Sequence, residues 1–168
     1  KYAYLGPAGT FTEAALLKIT NQGDQLIAYA NVTAALNAVR NGECEKALVP
    51  IENSIEGVVA RTLDELAIGE PLVITAETTL PVSFALMTLP NTDAKQIKSI
   101  ATHPHAESQC RSYIAKNYPN AQIIETASTA AAAKGLSKGD YDAAIAASIA
   151  AKNYQLKIID ENIGDNTG

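Results

Sequence analysis

Ala47-Leu48-Val49-Pro50-Ile51-Glu52-Asn53-Ser54-Ile55-Glu56-Gly57 is the stretch on which the reading of this chain turns. Its first three residues make a short, buried strand, which Pro50, having no N–H, brings to a stop. A carboxylate, an amide and a hydroxyl follow at once in Glu52, Asn53 and Ser54. Asn53 suits a helix N-cap, and Glu56 three residues on supplies the carboxylate half of a capping box. A strand end that delivers polar groups and unpaired N–H donors into a crevice is where open α/β sheets bind ligands. The same residues also read as a tight turn whose polar groups only cap a helix.

Working outward, the strand-then-helix pattern recurs along the chain. Residues 2–5 form a strand that breaks at Gly6-Pro7-Ala8-Gly9, and Thr10-Phe11-Thr12-Glu13 opens a helix with the S/T-x-x-E pattern. A strand over residues 26–29 precedes a helix capped by Asn31, with Val32, Leu36 and Val39 on one face and Gly42 at its C-terminal end. Residues 58–66 make the next helix. The β-rich run over residues 72–89, interrupted by Pro81, exceeds the usual ~5–6 residue strand. It predicts two strands, or one that crosses between lobes.

The second half repeats the theme. A short helix begins at Asp93, and residues 99–102 form a strand. His103-Pro104 opens a helix running through Cys110 and Ile114, with proline at its first position. Ile123-Ile124 is a strand, Ser128-Thr129 begins an alanine-rich helix ending near Gly135, and residues 143–146 form a strand. Ser148 caps a helix to Tyr154, and residues 157–159 make the last strand. Such βα repetition predicts an α/β fold with parallel sheets. The break at residues 72–89 divides it into two lobes with a central cleft: residues 1–77 plus 158–168, and residues 78–157. The chain stops at Gly168 with no element after Asp160-Glu161-Asn162-Ile163, which reads as a cut edge.

Composition narrows the function. Among 168 residues, 47% are hydrophobic and 18% charged, enough apolar material for a real core. The net charge of −5, with scattered Lys and Arg, argues against a nucleic-acid surface. Cys44 and Cys110 share no short metal or redox spacing and make no disulfide framework. No apolar run approaches the ~18 residues of a membrane span. No basic and apolar leader pattern opens the chain, so the expected setting is reducing and cytoplasmic.

Four strand-to-helix junctions carry hydroxyl or amide groups: Thr10/Thr12, Asn53/Ser54, Thr102/His103 and Ser128/Thr129. Each helix start offers free N–H groups and the positive end of a dipole. Singly, each is an ordinary cap. Together, if they converge, they form a neutral, donor-rich site suited to a carboxylate. Gln109 follows Thr102 by seven residues, on the same helical stripe. His103 and His105 stand too close in sequence to share a metal from one helix face, and neither has a nucleophile or acid partner in the sequence. Gly6-Pro7-Ala8-Gly9 lacks dinucleotide-binding spacing. Cys110 reads as core, and Glu52 as either an enclosed acid or a solvated one.

These motifs resemble the prephenate dehydratase family. Tyr4-Leu5-Gly6-Pro7-Ala8-Gly9-Thr10-Phe11-Thr12 is similar to its opening, and Val49-Pro50-Ile51-Glu52-Asn53-Ser54 with Gly57 to its most characteristic internal motif. His103-Pro104 with Gln109-Cys110, and Ser128-Thr129-Ala130-Ala131-Ala132, match two more, in order along nearly the whole chain. The resemblance implies a two-lobed fold like type II periplasmic binding proteins, with the substrate between the lobes. It implies a carbon-oxygen lyase that converts prephenate to phenylpyruvate in phenylalanine biosynthesis, without metal or organic cofactor. It carries substrate-binding roles onto Thr10, Asn53, Ser54, Thr102, Gln109, Ser128 and Thr129.

The resemblance also implies a homodimer and a C-terminal ACT domain that senses phenylalanine, a domain expected to follow and not among these 168 residues. The family's Thr-Arg-Phe motif, whose threonine is regarded as catalytic, is missing too. Thr167 lacks the following Arg-Phe, so the catalytic residue is unassigned. Two rival readings stay open: an arogenate-preferring dehydratase, and a non-catalytic carboxylate-binding module.

Overall fold

A computed structural model of the chain describes residues 1–53 and 57–165. It divides into two compact units. Unit 1 comprises Lys1–Pro7 and Phe11–Leu80, and unit 2 comprises Ala8–Thr10 and the chain from Pro81 onward.

Unit 1 contains β1 (Tyr2–Leu5), α1 (Phe11–Ile19), β2 (Leu26–Tyr29), α2 (Val32–Arg40), β3 (Lys46–Leu48), β4 (Glu52–Asn53), β5 (Gly57–Val58) and α3 (Ala60–Ile68). A parallel sheet runs in the order β2-β1-β3, and the buried Ala3 and Tyr4 lie on its central strand. Ala3, Ala35, Ala38 and Cys44 form a core of small side chains that lets α2 lie close to the sheet. The α2 ends follow the sequence. Asn31 Oδ1 accepts the Ala34 N–H at 2.8 Å. At the other end Gly42, at φ +74°, donates to the Val39 carbonyl, and Glu43 donates to the Ala38 carbonyl. This is a Schellman turn, which needs a residue that tolerates the left-handed region.

The opening stretch folds differently from its sequence reading. Asn53 is not a helix N-cap: it lies in β4, paired antiparallel with Gly57, and Glu52 pairs with Val58. Helix α3 begins after Val59, whose side chain makes no cap bond. Backbone pairing with a glycine at φ +82° outcompetes the side-chain cap. The Pro50 carbonyl is instead met by the buried Thr62, whose hydroxyl donates to it at 2.6 Å. Ser54 and Glu56 lie outside the described residues.

Unit 2 contains β6 (Ala85–Thr88), a 3₁₀ turn at Ala94–Gln96, β7 (Ser99–Thr102), α4 (Pro104–Gln109) and α5 (Arg111–Asn117). Then follow β8 (Gln122–Glu125), α6 (Thr129–Ser137), β9 (Ala143–Ala146), α7 (Ser148–Asn153) and β10 (Lys157–Asp160). Its sheet runs β10-β6-β9-β7-β8. Strands β8, β7 and β9 are parallel, while β6 is antiparallel to both β9 and β10, so the sheet is mixed where βα repetition predicted a parallel one. Alanines dominate the core: Ala132 and Ala133 of α6 pack with Ala101, Ala144 and Ala146 of the sheet. The alanine run is therefore a close-packing surface.

Three further differences bear on the site. Of residues 72–89 only Ala85–Thr88 is a strand. Val73 and Ile74, outside any strand, are 87% and 68% exposed. Residues 158–168 were expected in the first lobe with a boundary after residue 77, but the division falls after Leu80. Strand β10 belongs to unit 2, where Lys157 pairs with Thr88 and Ile158 with Met87. The helix expected from His103 through Ile114 breaks at Cys110 into α4 and α5.

Candidate functional site

The C-terminal ends of β8, β7 and β9 lie side by side in unit 2, with Thr102 in register with Glu125 and Ala101 with Ala144. Each of these strands leads into a helix, so the N-terminal ends of α4, α6 and α7 gather at one sheet edge. Aligned helix dipoles favour negative charge at such an edge without any basic side chain.

Thr102 ends β7 and is 0% exposed. Its hydroxyl donates to the Ile145 carbonyl at 2.8 Å, and its own carbonyl accepts the Thr126 N–H at 3.0 Å. It thus ties together the ends of all three parallel strands. Its hydroxyl proton is committed to Ile145, so the residue shapes the edge. His103 caps α4 through Nδ1, which accepts the His105 N–H at 3.2 Å. The two rings stack, with centroids 4.9 Å apart and planes within 7°. Pro104 follows in the first turn, where its missing N–H costs nothing.

Ser128 is the N-cap of α6, and its Oγ accepts the Ala131 N–H at 2.9 Å. The Thr126 hydroxyl donates to the Ser128 carbonyl at 2.8 Å and fixes the turn from β8 into the helix. Thr129 is half-buried at the first position of α6. Gly9, at φ +88°, lies so close to α7 that an added Cβ would stand 3.3 Å from Ala150 Cβ. Thr10, the next residue, is half-buried and belongs to unit 2. Gln109 is the last residue of α4, half-buried, and its carbonyl accepts the Asp165 N–H at 2.6 Å.

Of the sequence-derived positions, Thr10, Thr102, Gln109, Ser128 and Thr129 therefore belong to unit 2. Asn53 belongs to unit 1, half-buried in β4, and Ser54 is outside the described residues. Sequence reasoning missed Thr126 and Asp165. Thr126 had a signal, a hydroxyl just past a strand end, as Thr102 sits at the end of β7. Asp165 had none, since the groups it meets are more than fifty residues away.

Cys110 is wholly buried, and burial together with the Asp165 carboxylate pushes its thiol up to about 12, too high for a nucleophile at neutral pH. Among the described residues no group of three or more His, Cys, Asp and Glu stands ready to hold a metal ion. Nor is any helix among them long and apolar enough to cross a membrane. A cavity of about 280 Å³ beside α3, lined by Arg61, Asp64, Glu65, Ile68 and Gly69, contains none of the strand-end hydroxyls.

The sequence profile of the prephenate dehydratase family matches residues 2–168. A prephenate dehydratase of Amycolatopsis methanolica is 45% identical over 165 residues, which cover 98% of this chain and 54% of the relative. One from Mycobacterium ulcerans is 40% identical over 176 residues, covering 99% of this chain and 56% of the relative. Among solved structures, a prephenate dehydratase in complex with L-Phe from Arthrobacter aurescens superimposes with a TM-score of 0.87 at 44% identity, over 98% of this chain and 55% of the other. GqqA, described as a novel type of quorum quenching acylase, superimposes with a TM-score of 0.83 at 26% identity, over 98% of this chain and 59% of the other. The chain spans about half the length of the curated relatives it matches.

Proposed function

The chain belongs to the prephenate dehydratase family, and from that premise we propose that it takes part in the decarboxylating dehydration of prephenate to phenylpyruvate, with the β8-β7-β9 edge of unit 2 receiving the substrate. The observation that carries this reading is the gathering of three helix N-termini, with Thr102, Ser128 and Thr129, at one end of one sheet.

Prephenate has two carboxylates and a ring hydroxyl. The electron pair of the breaking carbon–carboxylate bond moves into the ring, the ring carbon–oxygen bond breaks, and the departing hydroxide takes a proton to leave as water. Carbon dioxide and an aromatic ring remain. The energy released by aromatisation removes the need for a covalent nucleophile, which accords with an unreactive Cys110. The protein's work is to hold a dianion, align the carboxylate that leaves, and offer a donor to the departing oxygen. Helix-terminal amides and neutral hydroxyls hold the anion without a guanidinium that would over-stabilise the ground state. Thr10, Gln109, Ser128 and Thr129 are the side chains offered to the substrate in this proposal, and Thr102 shapes the edge. Asn53 and Ser54 enter from the family resemblance alone.

The test is to supply prephenate to the purified protein and follow phenylpyruvate by its absorbance, with arogenate as the competing substrate. Turnover lost on Ser128→Ala with Thr129→Ala in folded protein supports the site. Tight binding of prephenate without turnover in the intact protein would instead favour a carboxylate-binding module. The same family pattern leads us to infer a homodimer in a cytoplasmic setting, the first checked by light scattering.

A further inference from the structure

We propose that Asp165 is a positioning residue for Gln109, holding the end of α4 in place by bridging the break between α4 and α5. This rests on the reading that Gln109 meets the substrate. Cys110 lies at φ −119° and ψ 15°, outside helical geometry, and its N–H bonds to the Glu107 carbonyl in a tightened turn. A helix broken at this point frees a carbonyl at the end of α4 and an amide at the start of α5. Asp165 meets both. Its main-chain N–H donates to the Gln109 carbonyl at 2.6 Å, and its carboxylate accepts the Ser112 N–H, at 3.2 Å to Oδ1 and 3.4 Å to Oδ2.

Helix α5 has no side-chain cap of its own at Cys110, so the remote carboxylate fills that place at the positive end of the helix. The segment that delivers Asp165 is itself held. Asp160 at the end of β10 accepts the Tyr113 hydroxyl of α5. Ile163 is 6% exposed, and its N–H donates to the Phe84 carbonyl at 3.1 Å. The segment from Asp160 to Asp165 is thereby fastened to α5, to the chain before β6 and to the α4–α5 break. Gln109, as the residue bonded directly to it, takes its backbone position from that fastening.

The test compares Asp165→Ala, Asp165→Asn, Gln109→Ala and the Asp165→Ala/Gln109→Ala pair in the intact protein. Two readouts are needed: steady-state kinetics with prephenate, and the rate at which a thiol reagent modifies Cys110, with the buried Cys44 of unit 1 as internal control. We expect Asp165→Ala to speed modification of Cys110 but not of Cys44. It should also lower kcat/KM roughly five- to tenfold, the scale of a lost helix cap. Asp165→Asn, which keeps an acceptor for Ser112, should recover most of both. In the Gln109→Ala background the kinetic effect of Asp165→Ala should vanish, which a general loss of stability would not produce.

An unchanged Cys110 rate in Asp165→Ala, or kinetic losses that simply add, would overturn the proposal. Should Gln109→Ala by itself leave kcat and KM intact, the substrate role of Gln109 fails. The Cys110 rate then decides the bracing alone: faster sustains it, unchanged removes it.

Discussion

Replacing Thr102 by valine keeps the shape of the side chain and deletes its hydroxyl. The Ile145 carbonyl then loses a donor that now stands 2.8 Å away, at a position with no solvent access. Leaving a buried acceptor short of a partner costs ~1–3 kcal/mol. For a chain of this size, each kcal/mol lowers the melting temperature by roughly 2–4 °C. Taking the middle of that range, Thr102→Val should melt about 4–8 °C below the parent. Thr102→Ser keeps the donor and loses one methyl group, worth about 0.8 kcal/mol, so it should lie between the two. Calorimetry with urea titration gives both values, and kinetics on the same samples shows where the damage falls. A residue that shapes the edge should raise KM in Thr102→Val while Thr102→Ser stays near the parent. Were Thr102→Val as stable as the parent and Thr102→Ser the weaker of the two, the hydroxyl bond would be worthless and the reasoning refuted.

Ser128→Ala removes the α6 cap and should cost ~1 kcal/mol of stability, together with a rise in KM for prephenate; urea titration and initial rates check the two separately. Gly135→Ala should destabilise by ~1–3 kcal/mol, since its Cβ would overlap the Tyr141 hydroxyl that donates to the Ala132 carbonyl. Tyr141→Phe should relieve the worst of that clash while leaving ring Cζ 2.8 Å away, so melting of the double variant will be non-additive but not restored to the parent. The Glu65 carboxyl is held below its ordinary 4.5, first by the Thr33 hydroxyl and then by Arg40 and Arg61. A depressed value stabilises the fold above pH 4.5 and is lost as pH falls through the folded value. Denaturation measured across that acid range should therefore show a shallower fall for Glu65→Gln than for the parent.

What could be read from the residues were features settled within a few positions of themselves. Asn31 and Ser128 cap α2 and α6 because a short polar side chain reaches an amide three residues on. Gly42 closes α2 because a left-handed residue is needed there, and alanines 130, 132 and 133 mark a helix face that must approach a sheet. The α/β alternation and the strand-end hydroxyls were legible for the same reason.

Tertiary structure decided the rest. Asn53 suits a cap in isolation, yet antiparallel pairing with Gly57 claims its backbone. The β-branched residues near 73 have strand propensity but no described partner strand, and propensity alone builds no ladder. Thr102 looked like a donor aimed at a ligand, and the Ile145 carbonyl, forty-three residues away, accepts its hydrogen bond. Strand β10 joined unit 2, and Asp165 reached the α4–α5 break, through bonds of the same long range. Hydrogen-bond partners so distant in the chain leave no periodic trace in its sequence; only the folded backbone brings them within three ångströms or so of each other.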